Sequence, residues 1–352
     1  MPQLMPNKII NYVLCLFLIC CLCFLAACTL WRSTETEMPM ATVTPIEEVI
    51  PPVPTSTVSP VIYGSENNPY IIAEIKNPEF LSQDFATYLY DNTGYHFVEV
   101  AYYDYTQFVD SVRLGEVALA WLPPLTYLFL TQEVETRPLL LTNQNGAYFY
   151  GTQFYASADS GISTFFNPET DQNTPGIDIS IVMAQFQSLR PCFVNKTSIS
   201  GYLLPYSLVV SKNITTLEPV FTQSHSSVIR SLYSKGICDF GATFAHIGDP
   251  RTSSNVLADL PYAVTSIPII YRSEPIIPNA NLSAFQPILP ELSEVLIQIL
   301  LEFSKSDTGL ETLRAASGYN ISSLMVIDDS AYNPLRDVLN VIEFNPSDGI
   351  GY

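Results

Sequence analysis

The chain has 352 residues, and its 34 Asp and Glu against 15 Lys and Arg give a formal net charge of −19. An acidic balance of this size excludes nucleic acid, whose phosphates repel it, and electrostatic docking to anionic lipid. Three His and seven Cys show no zinc-type spacing, so neither a metal nor a cofactor is expected.

A single cation, Lys8, precedes the apolar stretch Tyr12 to Phe24, and small residues follow in Leu25-Ala26-Ala27-Cys28. A charged start, a short apolar core and small residues before a cut site describe a secretory signal. The four residues ending in Cys28 resemble a bacterial lipobox. That resemblance implies removal of residues 1–27 and a mature chain held on the extracytoplasmic face of the cell membrane by lipid on Cys28. One apolar segment then anchors rather than spans. The alternative is an uncleaved transmembrane helix, for which residues 9–30 are nearly long enough. Residues 28–65 are rich in Thr and Pro, as in Ile50-Pro51-Pro52-Val53-Pro54, and read as an extended tether.

The folded region follows. Tyr70–Ile75 reads as a strand, Leu81–Asn92 as a helix, His96–Val100 as a strand and Tyr105–Leu114 as a helix closed by Gly115. Val117–Leu122 is continuously apolar, as in a buried parallel strand. This alternation signals an α/β fold with a parallel sheet. The pattern restarts with a strand at Arg190–Val194, a helix at Gly201–Val210, a strand at Val220–Thr222, a helix at Ser226–Ser234 and a strand at Ile237–Thr243. A strand over Ala263–Tyr271 and helices around Glu291–Ser304 and Ala331–Phe344 complete the chain. A folded length of this size suggests two lobes. Residues 66–152 joined by 263–346 form lobe I, residues 153–262 form lobe II, and 347–352 are a loose tail. Cys192 and Cys238 are the two cysteines beyond Cys28. They either pair in an oxidising compartment or stay as buried small hydrophobes; the sequence slightly favours free thiols.

Asn195-Lys196-Thr197-Ser198-Ile199-Ser200-Gly201-Tyr202 falls between a strand and a helix. An open α/β sheet places its ligand there, beyond the carboxyl ends of the strands. Ser198 and Ser200 stand at a helix start, where free N–H groups and the dipole favour an anion, and Gly201 allows close backbone approach. The plainer reading is a Ser N-cap.

The run from Arg190 through this segment to Pro205 resembles the Ser-Thr-Ser-Gly-Tyr region of the phosphate/phosphite/phosphonate-binding proteins of ABC importers, the PhnD-like family. Four further blocks resemble that family in the same order: Asp104 to Tyr127, Gly146 to Tyr150, Ser224 to Asp239, and Ser273 to Asn279. The resemblance implies a two-lobe type 2 periplasmic-binding-protein fold with the ligand in the interlobe cleft. It implies a small anionic or zwitterionic ligand, hinge closure, a permease partner and no catalytic residues; a monomer is expected. Ser198 and Ser200 are implied oxyanion ligands, with backbone N–H groups from Gly201 and Tyr202. Tyr105 and Tyr150 are implied pocket tyrosines of the first lobe, and His225 and Asp239 pocket groups of the second, Asp239 facing a substrate ammonium. Ile199 replaces a hydroxyl residue of the family triplet and Ala118 replaces an Asp, which leaves the ligand's identity open. A ligand-sensing or scaffold lipoprotein of the same fold is an alternative, and so is a tethered hydrolase that pairs His225 with Ser200.

Overall fold

The computed structural model describes residues 63–75 and 83–350. The signal segment, Cys28 and all of the tether but its last three residues lie outside the described residues. The described part belongs to one compact unit. It opens at Tyr63, whose ring stacks on Tyr70 at 6.2 Å.

Strands β1 (Tyr70–Glu74), β2 (Phe97–Ala101) and β3 (Val117–Leu122) alternate with helices α1 (Asp84–Thr93), α2 (Tyr105–Arg113) and α3 (Pro124–Glu133). Strands β4 (Arg137–Gln144) and β5 (Phe149–Ala156) follow, then the small hairpin of β6 (Phe166–Asn167) and β7 (Gln172–Asn173), and helix α4 (Ile179–Ala184). Next come β8 (Pro191–Phe193), α5 (Leu204–Ser211), β9 (Val220–Phe221), α6 (His225–Ser234) and β10 (Phe240–Ala245). Helices α7 (Ser254–Asp259) and α8 (Ala263–Ser266) precede β11 (Ile269–Arg272), β12 (Ile277–Pro278) and β13 (Asn281–Ala284). Helices α9 (Pro290–Phe303) and α10 (Asp307–Ser317), strand β14 (Ile321–Val326) and helix α11 (Asn333–Val341) close the chain.

Two mixed sheets result. The first has the order β14-β4-β13-β3-β1-β2 and the second β11-β5-β10-β8-β9, with β12 paired to β5. In the first, β1 runs parallel to β2 and β3; in the second, β8 runs parallel to β10 and β9. Helix α2 fits the sequence expectation: Phe108, Val109 and Val112 are buried on one face, and the Asp104 carboxylate accepts from the Thr106 N–H at 2.6 Å, satisfying a first-turn donor.

Several expectations need correction. Ala263–Tyr271 is not one strand of the first lobe. Residues 263–266 are helical, Pro268 forces its predecessor out of the helical region, and β11 pairs with β5 in the second sheet. Strand β5 likewise begins at Phe149, before the expected boundary at 152, and lies in the second sheet. The tail from Ser347 is not loose through Gly349: residues 346–349 form a 3-10 turn. Gly349 approaches Leu125 so closely that a Cβ there would lie 2.6 Å from its Cδ1.

Cys192 and Cys238 form a disulfide rather than free thiols. Strands β8 and β10 are parallel neighbours with Cys192 opposite Gly241, and Cys238 just precedes β10. Their Cα atoms stand 5.6 Å apart, inside the disulfide range. The bond closes a sequence separation of 46 residues. Replacing both cysteines by Ala is expected to cost about 2–4 kcal/mol of unfolding free energy, read by denaturant titration. An unchanged midpoint refutes this.

Candidate functional site

The site is built on the carboxyl end of β8. After Phe193 the chain turns through Asn195–Thr197 and enters a π-helical turn over Ile199–Leu203, which continues into α5. Ser198 is the N-cap, and its Oγ accepts from the Gly201 N–H at 3.1 Å. The N–H groups of Tyr202 and Leu203 both donate to the Ser198 carbonyl, at 2.9 and 3.0 Å. Consequently the Gly201 and Tyr202 amides, implied as ligand donors, are engaged inside the turn. The first-turn donors without a helical acceptor are those of Ile199 and Ser200.

Gly201 is demanded by space, not by φ. A Cβ there would stand 2.4 Å from Val194 Cγ2 and 2.7 Å from Ser198 Oγ. Its carbonyl accepts from the Val194 N–H at 3.1 Å, so the helix start is pressed onto the strand end. Ser200 is buried, and its carbonyl accepts from Thr152 Oγ1 at 2.8 Å. Thr152 reaches the Thr243 carbonyl of β10 as well, at 3.1 Å. One hydroxyl of β5 therefore fixes the serine turn against the neighbouring strand, and no sequence motif marked it.

The other groups distribute as follows. Tyr150 lies two residues before Thr152 on β5 and so on the same face of that strand; burial pushes its pKa up to about 12. Tyr105, at the start of α2, shares a hydrogen bond of 3.2 Å with the Thr126 hydroxyl. Both rings pack against an apolar cluster that contains Ile199, Leu203 and Leu204 of the second lobe beside Leu122 and Tyr127 of the first. The Tyr202 ring packs against the same cluster and stacks on Tyr206 at 5.2 Å, within an aromatic group that includes Phe193 and Phe221.

His225 opens α6. Gln223 N–H donates to the Val194 carbonyl at 2.8 Å, so the approach to α6 lies beside the end of β8. The imidazole meets the Phe244 ring edge-on at 4.7 Å, and its buried Nδ1 has no hydrogen-bond partner. Burial pushes its pKa down to about 4, which keeps the ring neutral at physiological pH.

Asp239 does not join this group. It precedes β10, at the edge of the parallel strands opposite Ser198. Its Oδ2 accepts from the Arg190 N–H at 2.7 Å, and its own N–H donates to the Arg190 carbonyl at 2.8 Å. The apolar run around it marked a strand end, and the strand register sets that end away from the serine turn. Ala118 is fully buried in β3. Among the described residues no cluster of three or more His, Cys, Asp or Glu could hold a metal ion.

A family profile described as "ABC transporter, phosphonate, periplasmic substrate-binding protein" matches residues 79–332. The chain belongs to this family. Its members are substrate-binding components of transporters rather than enzymes, and the fold is the two-lobe type 2 arrangement. No curated protein matches the chain. Among solved structures, XAC2383 from Xanthomonas citri bound to chloride ion has a TM-score of 0.56 at 17% identity, over 80% of this chain and 99% of that one. The same protein bound to ATP gives 0.54 at 16%, over 80% and 98%. PhnD1 from Prochlorococcus marinus in complex with methylphosphonate gives 0.49 at 14%, over 78% and 98%. At such identities the likeness is one of fold.

The His225 environment has a measurable consequence. Unfolding returns the ring to its ordinary pKa of 6.5, so at pH below that value the unfolded chain binds a proton that the folded one refuses. Stability is then lost progressively as pH falls from 6.5 towards 4. His225→Gln is expected to lose less than the wild type over that interval in unfolding midpoints measured against pH. Parallel curves refute this.

Proposed function

We propose that the protein is the extracytoplasmic, lipid-anchored solute receptor of an ABC importer, and that it binds a small phosphonate-like oxyanion between its lobes. The observation that carries this reading is the serine turn at the end of β8. Ser198 spends an Oγ lone pair on its cap and keeps its O–H to donate. The Ser200 hydroxyl has no partner among the described residues. Two hydroxyls, two first-turn amides and the helix dipole together form an oxyanion cradle. The neutral His225 beside it offers one further ring N–H, Tyr150 near the start of β5 offers its O–H, and Tyr105 of the first lobe closes over the bound group. Hinge closure about the crossing segments joins the two sets, and a permease then receives the ligand. Lipid on Cys28 holds the receptor at the membrane, with the Thr/Pro-rich segment as spacer.

Two measurements test this. Ser198→Ala with Ser200→Ala removes two hydrogen bonds to a charged group, each worth about 1.5–3 kcal/mol. Calorimetric titration with phosphite and methylphosphonate is therefore expected to show at least a hundred-fold weaker binding. Loss of the Ser198 cap costs fold stability as well, about 0.5–2 kcal/mol, so the unliganded melting curve is the control. Unchanged affinity removes the turn from the site. For the anchor, wild-type protein is expected to carry acyl mass and to partition into detergent, while Cys28→Ser stays aqueous. Identical partitioning with no acyl mass overturns it.

A further inference from the structure

Ser273 directly follows β11, where the chain turns back towards β13 of the first sheet, and it is buried. Its N–H donates to the Thr152 carbonyl at 2.8 Å, and its Oγ accepts from the Thr152 N–H at 3.0 Å. The same Oγ donates to the Glu274 carbonyl at 2.9 Å. The Ile276 N–H reaches that carbonyl as well, at 3.1 Å, and closes a three-residue turn over Pro275. Ile277 and Pro278 then pair with Tyr150 and Phe149 of β5. His246, directly after β10, places Nε2 3.0 Å from the Ser273 carbonyl. One serine thus joins the incoming strand, the returning strand and the carboxyl end of β10.

Thr152 carries the connection onward. Its backbone is held by Ser273, and its hydroxyl holds the Ser200 and Thr243 carbonyls at 2.8 and 3.1 Å. A continuous path of hydrogen bonds therefore runs from the lobe crossing, through one residue of β5, to the serine turn. Ser273, Thr152, Thr243 and Ser200 are all buried, where such bonds are electrostatically stronger than in water.

We infer that Ser273 is a positioning residue of the oxyanion site: acting through Thr152, it transmits the setting of the lobe crossing to the serine turn. Its effect on binding rests on the oxyanion reading of that turn; its effect on the turn's rigidity does not. Rotation of one lobe against the other has to turn the backbone of the two crossing strands, and Ser273 and Thr152 stand where these strands enter the second sheet. A contiguous set of buried bonds can pass that displacement to a neighbouring site.

Two measurements test this. Ser273→Ala removes one link of the path and Thr152→Val the next, while Thr152→Ser retains the hydroxyl. Hydrogen exchange of the unliganded protein is read by mass spectrometry on peptides covering residues 194–204 and, as reference, residues 117–122 of β3. Ser273→Ala and Thr152→Val are each expected to speed exchange of the first peptide about ten-fold and to leave the reference unchanged; Thr152→Ser is expected to restore slow exchange. In calorimetric titration with methylphosphonate, each of the two variants is expected to bind about ten-fold more weakly. The double variant is expected to lose the same ten-fold, not the roughly hundred-fold that independent sites would give. Unchanged exchange of residues 194–204 in either variant overturns the coupling, as does equally faster exchange of both peptides, which marks a global loss of stability. A hundred-fold loss in the double variant shows that the two residues act separately and overturns it too. If exchange behaves as expected but wild type binds neither methylphosphonate nor phosphite, the oxyanion reading and the role of Ser273 in binding fall, while the mechanical link stands.

Discussion

The contact between Gly201 and Val194 is the constraint on which the serine turn depends. A helix that starts immediately after a parallel strand must fold back on it, and here the backbone approaches until no Cβ fits. The helix start then takes a π-helical form, with the Tyr202 and Leu203 amides sharing the Ser198 carbonyl. Such wide turns occur mostly as single local distortions, often at functional positions. Here the distortion leaves Ser200 buried with its carbonyl locked by Thr152. The serine turn is thereby fixed in place by a residue of another strand.

Charge around the serine turn is sparse. Hydroxyls, amides and a neutral imidazole are gathered around the turn, its own cation Lys196 lies over the Phe221 ring at 5.9 Å, and the buried Arg251 of the second lobe is paired with Asp249. Hydrogen bonds to a charged acceptor are stronger than neutral ones, and a dry site strengthens them further. An oxyanion can therefore be held without a Lys or Arg, and the strongly acidic exterior of the chain remains compatible with that role.

Much of the architecture was legible from periodicity. Val117–Leu122 is a buried parallel strand as its unbroken apolar run requires, and α1, α2 and α6 fall close to their expected spans. Helix α3 was not legible. Residues 124–130 are all buried, so it has no polar face to create a helical period, and its Pro123-Pro124 start imitates a loop. Helix α10 carries Gly309 in its first turn, where a Cβ would meet the Phe303 carbonyl. Of the candidate site, the serine turn, Tyr105, Tyr150 and His225 come to the same edge of the sheets. Asp239 does not, because an isolated acid in an apolar run marks a strand end without saying which end. Thr152 carried no local signal at all; the pairing of β5 with β10 brings it to the serine turn.

The crossing between the lobes is a ribbon, not a pair of loops. Tyr150 pairs with Ile277 and Phe149 with Pro278. Asn279 then continues the bonding, its N–H reaching the Tyr148 carbonyl at 3.0 Å and its Nδ2 the Ala147 carbonyl at 2.7 Å. Gly151 allows the incoming strand to lie against Ser273 and Glu274, where a Cβ would stand 2.6 Å from the Ser273 hydroxyl. Mechanically, two hydrogen-bonded strands resist bending in their own plane far more than torsion about their long axis. Any relative rotation of the lobes would load this ribbon as a torsion spring, with a stiffness set by hydrogen bonds that no side-chain exchange on the lobes' outer faces can alter.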